Sequence, residues 1–564
     1  MKIQETFAAP QKQPSSHWTS QFRTWTDRTI LALCGGLILF SLLQLIQYRY
    51  GRDQGIYAVV GESIVHGGMP YRDAWDFKPP GIFFVYALAR GLFGSQEWAI
   101  RAIESLSMLA LIPTFIVLGR RLFRSSIAGF FGATVAIVVH CQLEFWHTAQ
   151  PETFGGVLTM LALLLVTGPV NAAAGQRNPR RLVAGWLGAG LLFGMAGLMK
   201  PHLAGGAAVA GGYLAYRIRQ HGRPWRDCLV PLGALGGGVV LAIGGCLGLF
   251  AARGAWTGLH HALFVFAPGY ASTTWDWGWW PNFLYCAFEN FAVEASAPLC
   301  AGMAMAVALH GDARDRPGVS LLGGIIAVHL AGIAIQSKFF PYHFDATYPL
   351  GALLAGFGLH KAWELAHKRR ELGVAAFFFC LYALGRARTS MRDLDGTWWV
   401  RSSKRLHAMV SGSAQEREGL IQELSSVADV DYPSNRSVAE WIDQHTASND
   451  TVYIWGFEPF IYHAAARKPG SKYIYNVPQR VAFAKGSDLK EQARRDLMAD
   501  LGSSQPAVIV VEHRDVFPVV TGDSLDSAAS LADFGALQEL LDTKYAKQTT
   551  IQDFDLFLRR TNAP

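Results

Sequence analysis

The chain of 564 residues is 51% hydrophobic and 16% charged, against roughly 25% charged residues in an ordinary soluble domain. That balance excludes a single soluble body and points to a polytopic membrane protein, whose apolar runs cross a hydrocarbon core about 30 Å thick. The formal net charge of +7 fits cytoplasmic loops better than a nucleic-acid surface, because no basic stretch interleaved with aromatics accompanies it.

The first 28 residues are polar and carry Lys2, Lys12, Arg23 and Arg28. The apolar run after them lacks a small-residue cleavage site, so it reads as an uncleaved first span behind a cytoplasmic tail. Apolar segments follow at 29–48, 99–119, 125–143, 153–172, 182–199, 203–217, 228–252, 287–309, 318–337, 347–360 and 372–388, which predicts about eleven spans. "GRRLFR" (Gly119 to Arg124), "GQRNPRR" (Gly175 to Arg181), "RIRQHGRPWR" (Arg217 to Arg226), "DARDR" (Asp312 to Arg316) and "HKRR" (His367 to Arg370) fall on one side of this topology. The positive-inside rule makes that side cytoplasmic. The segment 49–98, the "QPE" corner (Gln150 to Glu152), "KPH" (Lys200 to His202), the tryptophan-rich loop near 253–285 and "KFFPYHFDATYP" (Lys338 to Pro349) then face out.

Within 49–98, "GIYAVVGESIVHGG" (Gly55 to Gly68) predicts a short helix closed by Gly67 and Gly68, with Asp53 just before its first turn. "GIFFVYALARGLFG" (Gly81 to Gly94) is too short to span and carries Arg90 mid-segment, so it predicts a helix lying on the bilayer surface. The seven cysteines mostly sit in apolar runs, without CxxC spacing, and predict neither disulfides nor a zinc knuckle.

From about residue 390 the composition becomes mixed. "SVAEWIDQHT" (Ser437 to Thr446) predicts a helix starting on the capping-box pair Ser437 and Glu440. "TVYIWG" (Thr451 to Gly456), "KYIYN" (Lys472 to Asn476) and "AVIVVE" (Ala507 to Glu512) read as strands, and 487–502 and 536–545 as helices. The alternation predicts a small α/β domain, on the outer side if the spans number eleven. It holds no phosphate-cradling glycine loop.

Ionisable residues beside a membrane are functional candidates. Asp53 suits a helix N-terminus and equally a general base on an acceptor. Lys78 suits an interfacial anchor and equally a clamp on a phosphate. Glu152 and Lys200 carry the same two readings, and His343 reads as a phosphate or sugar contact or as a backbone-bonded histidine. The adjacent His260 and His261 are poorly disposed to share one ion.

The order Asp53, "GGMPYRDAWDFKPPG" (Gly67 to Gly81), Arg101, "QPE", "GLMKP" (Gly197 to Pro201) and "KFFPYHFDATYPLGALLAG" (Lys338 to Gly356) resembles bacterial GT-C membrane glycosyltransferases. These include the protein O-mannosyltransferase-like and lipid A aminoarabinose transferase-like enzymes. "DTVYIWGFEPFIYHAAARKPGSKYIY" (Asp450 to Tyr475) extends the likeness to their outer domain. The resemblance implies a polytopic α-helical GT-C fold with a C-terminal α/β periplasmic domain. It further implies inverting transfer of a sugar from a polyprenyl-phosphate donor to a lipid, glycan or protein acceptor, at the outer face of a bacterial inner membrane.

On this resemblance Asp53 is the catalytic carboxylate, and Lys78, Asp76, Arg101, Glu152, Lys200, Tyr342 and His343 bind donor or substrate. The family's frequent Asp-Glu pair is replaced by Asp53 and Gln54. A divalent cation on Asp53 and Glu152 is therefore compatible with the sequence but not required by it. The expected division is a tail at 1–28, a membrane catalytic part at 29–389 and an extracytoplasmic domain at 390–564. A transporter or flippase would instead place ionisable groups at the midplane, and an envelope-assembly scaffold would be indifferent to Asp53.

Overall fold

The computed structural model describes residues 25–171, 179–274, 279–288, 297–309, 312–366, 398–427 and 430–560. Most of the N-terminal tail and the span expected at 372–388 lie outside them. Among the described residues, six helices are long and apolar enough to cross a membrane: Asp27–Leu45, Trp98–Phe123, Pro151–Gly168, Leu182–Met199, Trp225–Ala252 and Arg316–Gln336. Ser126–Gln142 and Leu299–Ala308 are apolar but shorter. Length alone therefore supports fewer full spans among the described residues than the eleven expected.

The short helices pack through glycine. Ser126–Gln142 lies so close to Tyr348–Ala366 that a Cβ on Gly356 would stand 2.7 Å from Gly132 Cα. Small residues at such crossings let backbones approach where no hydrophobic force drives helices together.

The segment between the first two spans folds as a site helix, Arg52–Val65, a tight loop and a surface helix, Gly81–Phe93. The surface helix has 13 residues, too few for the bilayer core, and Arg90 on it is paired with Glu62 of the site helix. Asp53 lies inside the first turn rather than before it, because Gly51 is the N-cap and the Gln54 side chain accepts from the Gly51 N–H at 3.0 Å.

The C-terminal sheet has the order β2-β1-β3-β5-β4, built from β1 (Thr451–Trp455), β2 (Lys468–Pro469), β3 (Val508–Glu512), β4 (Tyr545–Ile551) and β5 (Phe554–Arg559). β1 pairs in parallel with β2 and β3, while β5 is antiparallel to β3 and β4. Leu489–Ser504 and Gly535–Lys544 form the expected helices.

Two local expectations are corrected. "KYIYN" is not a strand of the sheet; it only bridges Tyr473 to Trp75. The helix expected at Ser437 starts five residues earlier, at Tyr432, where the Asp431 carboxylate accepts from the Ser434 N–H at 3.2 Å. A proline in the first turn reinforces that earlier start.

One hydrophobic core runs from the site helix through Trp75 and Phe83 into Phe460, Trp455 and the strands. The sheet domain is thus packed directly onto the loop between the first two spans. Gly55 permits this approach, since a Cβ there would stand 2.7 Å from the Phe460 nitrogen.

Candidate active site

The site is built on three short segments. The first turn of the site helix supplies Asp53. The loop "PYRDAWDFKPP" (Pro70 to Pro80) supplies Lys78. In that loop Tyr71 is buried at a positive φ of 69°, a costly conformation for a bulky residue, of the kind that gathers at functional sites. It is fixed by a bond from its N–H to the Ala74 carbonyl and by its hydroxyl, which donates to the Lys78 carbonyl at 2.7 Å.

The third segment is the corner 143–150. Glu144 and Ala149 there both have positive φ, 61° and 54°. Each such residue costs on the order of 1–3 kcal/mol, and the surrounding bonds offset it. Gln54 Nε2 donates to the carbonyls of Phe145 at 3.0 Å and Thr148 at 2.6 Å. The Arg101 guanidinium donates to the Phe145 carbonyl and to Thr148 Oγ1, both at 2.9 Å, and Glu104 accepts from the Ala149 N–H at 2.5 Å.

These supports place Gln150 beside Asp53. Lys78 Nζ lies 3.1 Å from Asp53 Oδ1, and Gln150 Nε2 donates to Asp53 Oδ2 at 3.3 Å. Tyr57 orients the amide by donating to Gln150 Oε1 at 2.8 Å. The ammonium also rests over the rings of Tyr57 and Phe77, at 5.1 and 5.8 Å, which is cation–π distance. Tyr342 bonds to Asp53 through its hydroxyl. Burial and the Asp53 charge push that phenol's pKa well up, so it donates.

Burial alone would raise the Asp53 carboxyl. The charge and hydrogen bond of Lys78, with Tyr342 and Gln150, outweigh it and hold the group below its ordinary range. Burial lowers Lys78, but the charges of Asp53, Asp76 and Glu152 outweigh that and raise it. The result is an ionised pair with side chains 18% and 11% exposed, screened from water but reachable.

Asp76 is buried and accepts from the Tyr475 hydroxyl of the sheet domain at 2.6 Å. Glu152 and Lys200 form a second ion pair at 3.0 Å, and Lys200 also donates to Gln336 Oε1 at 3.2 Å. His343 sits beside Tyr342, but its Nδ1 is 2.5 Å from the Lys338 carbonyl and burial pushes its pKa far down. It is a neutral, backbone-bonded histidine.

Arg101 is not brought to Asp53. Its guanidinium is fully enclosed and ties the corner to Glu104, whose carboxylate meets His140 Nε2 at 3.0 Å. His140 Nδ1 in turn lies 3.1 Å from Asp345, which accepts from Thr153 at 2.7 Å. This chain of buried charges braces the corner and the turn Pro341–Thr347 that carries Tyr342.

Gln150, Tyr57 and Tyr270 were not singled out from the sequence. "QPE" flags the corner, but nothing local distinguishes Gln150 from Glu152 as the residue touching Asp53. Tyr270 is marked only by its place in the aromatic loop; it packs on Phe77 at 4.9 Å.

Among the described residues no three His, Cys, Asp or Glu side chains are grouped to hold a metal ion. The two carboxylates suggested for a cation, Asp53 and Glu152, each carry a lysine instead. Gln54 turns its amide nitrogen to carbonyl oxygens, so its side-chain oxygen is spent on the Gly51 cap.

A helical bundle capped at one end by a small sheet domain is the fold of a solved ArnT. The chain has this fold. Residues 77–244 match the family described as dolichyl-phosphate-mannose-protein mannosyltransferase. Among solved structures, ArnT from Cupriavidus metallidurans bound to undecaprenyl phosphate is similar at TM-score 0.60 and 14% identity, covering 96% of this chain and 99% of that one. Its apo state is similar at TM-score 0.58 and 14% identity, covering 95% and 98%. The Archaeoglobus fulgidus oligosaccharyltransferase tethered with an acceptor peptide reaches TM-score 0.48 at 15% identity, covering 87% and 70%. No curated protein sequence matches.

Proposed function

We propose that this multi-pass membrane protein transfers a sugar from a polyprenyl-phosphate-linked donor to an acceptor at the outer face of a bacterial inner membrane. Residues 29–389 form its catalytic part and 390–564 its exported domain. The observation that carries the reading is the ionised Asp53 carboxylate, held at 3.1 Å by Lys78 and bonded by Gln150. It is reinforced by the fold, which is shared with an ArnT bound to undecaprenyl phosphate.

The acceptor hydroxyl or amine attacks the anomeric carbon from the face opposite the phosphate, and Asp53 takes its proton. The bond from that carbon to the phosphate oxygen breaks, and the polyprenyl phosphate leaves with the electron pair. Lys78 and Lys200 balance the charge on the departing phosphate, and the Tyr342 hydroxyl supplies a hydrogen bond. The donor phosphate shares Lys78 with Asp53, which keeps its other bonds to Gln150 and Tyr342.

A carboxylate already freed of its proton suits a base more than an acid. Asp53→Asn keeps the size but turns one acceptor oxygen into a donor and cannot take a proton. In a deletion strain complemented with this variant, mass spectrometry of envelope lipids and glycans should show loss of the transferred sugar with normal membrane insertion. Product at the wild-type level would refute the assignment.

A further inference from the structure

In the sheet domain, β2 lies on one side of β1 and β3 on the other. The connections leaving β1 and β3 therefore diverge at their carboxyl ends, and a crevice opens there. In open α/β sheets this switch point is where ligands bind. Here its occupant comes from the same chain. Arg52 lies over the rings of Phe457 and Phe517, its guanidinium carbon 5.1 and 4.3 Å from their centroids. Arg52 Nε donates to the Phe457 carbonyl at 2.9 Å, and Nη2 meets Glu458 Oε1 at 2.7 Å.

The crevice is built to receive a cation. Glu458 is buried and is fixed by Asn435, which donates to its other oxygen at 2.7 Å. Glu512, at the end of β3, accepts from the Phe457 N–H at 2.6 Å and so holds the segment that bears both the ring and the carbonyl. A planar guanidinium suits stacking and a forked carboxylate contact together, which an ammonium does not.

Arg52 is the first residue of the site helix and the neighbour of Asp53. We propose that Arg52 is a positioning residue through which the sheet domain sets the orientation of Asp53. Seated at the carboxyl ends of β1 and β3, it pins the first turn of the site helix so that Asp53 faces Lys78. Asp53's role as a base rests on the glycosyltransferase reading; the coupling of Arg52 to the helix does not.

The test uses the full-length protein in nanodiscs, with hydrogen exchange of the amides at 52–58 and the affinity for undecaprenyl phosphate as probe. It is paired with product measurement in the complemented deletion strain. Arg52→Ala should raise exchange at 52–58 at least tenfold and lower product at least tenfold, while the affinity stays within twofold. Arg52→Lys and Glu458→Gln should give intermediate values in the same order. Wild-type exchange and product in all three variants would overturn the proposal. So would parallel loss of lipid affinity and product, which would make Arg52 a donor contact or a general fold element.

Should Arg52→Ala fail to fold, the two conservative variants decide alone. A silent Asp53→Asn beside raised exchange in Arg52→Ala would sink the reaction and leave the coupling standing.

Discussion

Replacing Lys78 by Met removes the charge that keeps Asp53 ionised while leaving the side-chain stem over Tyr57. At 3.1 Å and an effective dielectric of 20 the pair attracts by about 5 kcal/mol. Desolvation of both groups and screening through the 18% and 11% exposed side chains reduce its net worth to about 1–3 kcal/mol. The larger effect should fall on catalysis. Losing one preorganised positive group from the leaving phosphate costs about 10²- to 10³-fold in rate.

The sign of the pH effect follows from the two shifts. Asp53 is held low, so its part of the pair is present above the ordinary carboxylate pKa and is lost as pH falls through its lower folded value. Lys78 is raised, so its part is present below the ordinary lysine pKa and is lost as pH rises through its higher folded value. Wild-type activity should therefore be flat from about pH 5 to 9. In Lys78→Met burial is no longer outweighed, and the acid limb should move to higher pH. Spheroplasts expose the proposed face to buffer, and product can be followed there by mass spectrometry. A variant with turnover within threefold of wild type and an unmoved acid limb would refute the pairing argument.

Gln54→Glu would place a second acid beside Asp53 but turn a carboxylate toward the carbonyls of Phe145 and Thr148. Unfolding in detergent should come earlier, by about 1–3 kcal/mol, with no gain in activity from Mg²⁺. Glu144→Gln weakens the buried contacts to Arg401 and Arg405, a loss of about 3–5 kcal/mol. Limited proteolysis should then cut near the helix Trp398–Val410. Gly356→Ala forces a methyl against the backbone of Ser126–Gln142, and the thermal midpoint should fall by a margin worth about 1–3 kcal/mol.

The elements legible in the sequence are those whose determinants are local. The surface helix announces itself by a run of thirteen residues that is apolar but for one arginine. β1 and β3 announce themselves by uninterrupted β-branched and aromatic runs, because both faces are covered. β4 went unpredicted because "YAKQTTI" (Tyr545 to Ile551) buries only Tyr545 fully and carries no apolar stripe. Ser437 misled because a capping pair is only a pattern of two residues, and Asp431 with a proline begins the helix first.

In the site, Asp53 and Lys78 were legible as charged residues crowded beside a membrane, and the family resemblance ordered them. Gln54, by contrast, acts on a corner about ninety residues away, and Arg101 serves that same corner. Nothing in either residue's own neighbourhood reveals this.

The join between Arg52 and Phe457 spans 405 residues of sequence. At about 5–20 residues per second of synthesis, the site helix waits roughly 20–80 s before its counterpart emerges. During that interval the ring-lined seat for Arg52 does not exist, and the helix carrying Asp53 is without its clamp. A nascent or truncated chain therefore holds the acid and the lysine but not the geometry between them. Competence is acquired last, when the sheet domain has folded and closed over the first loop.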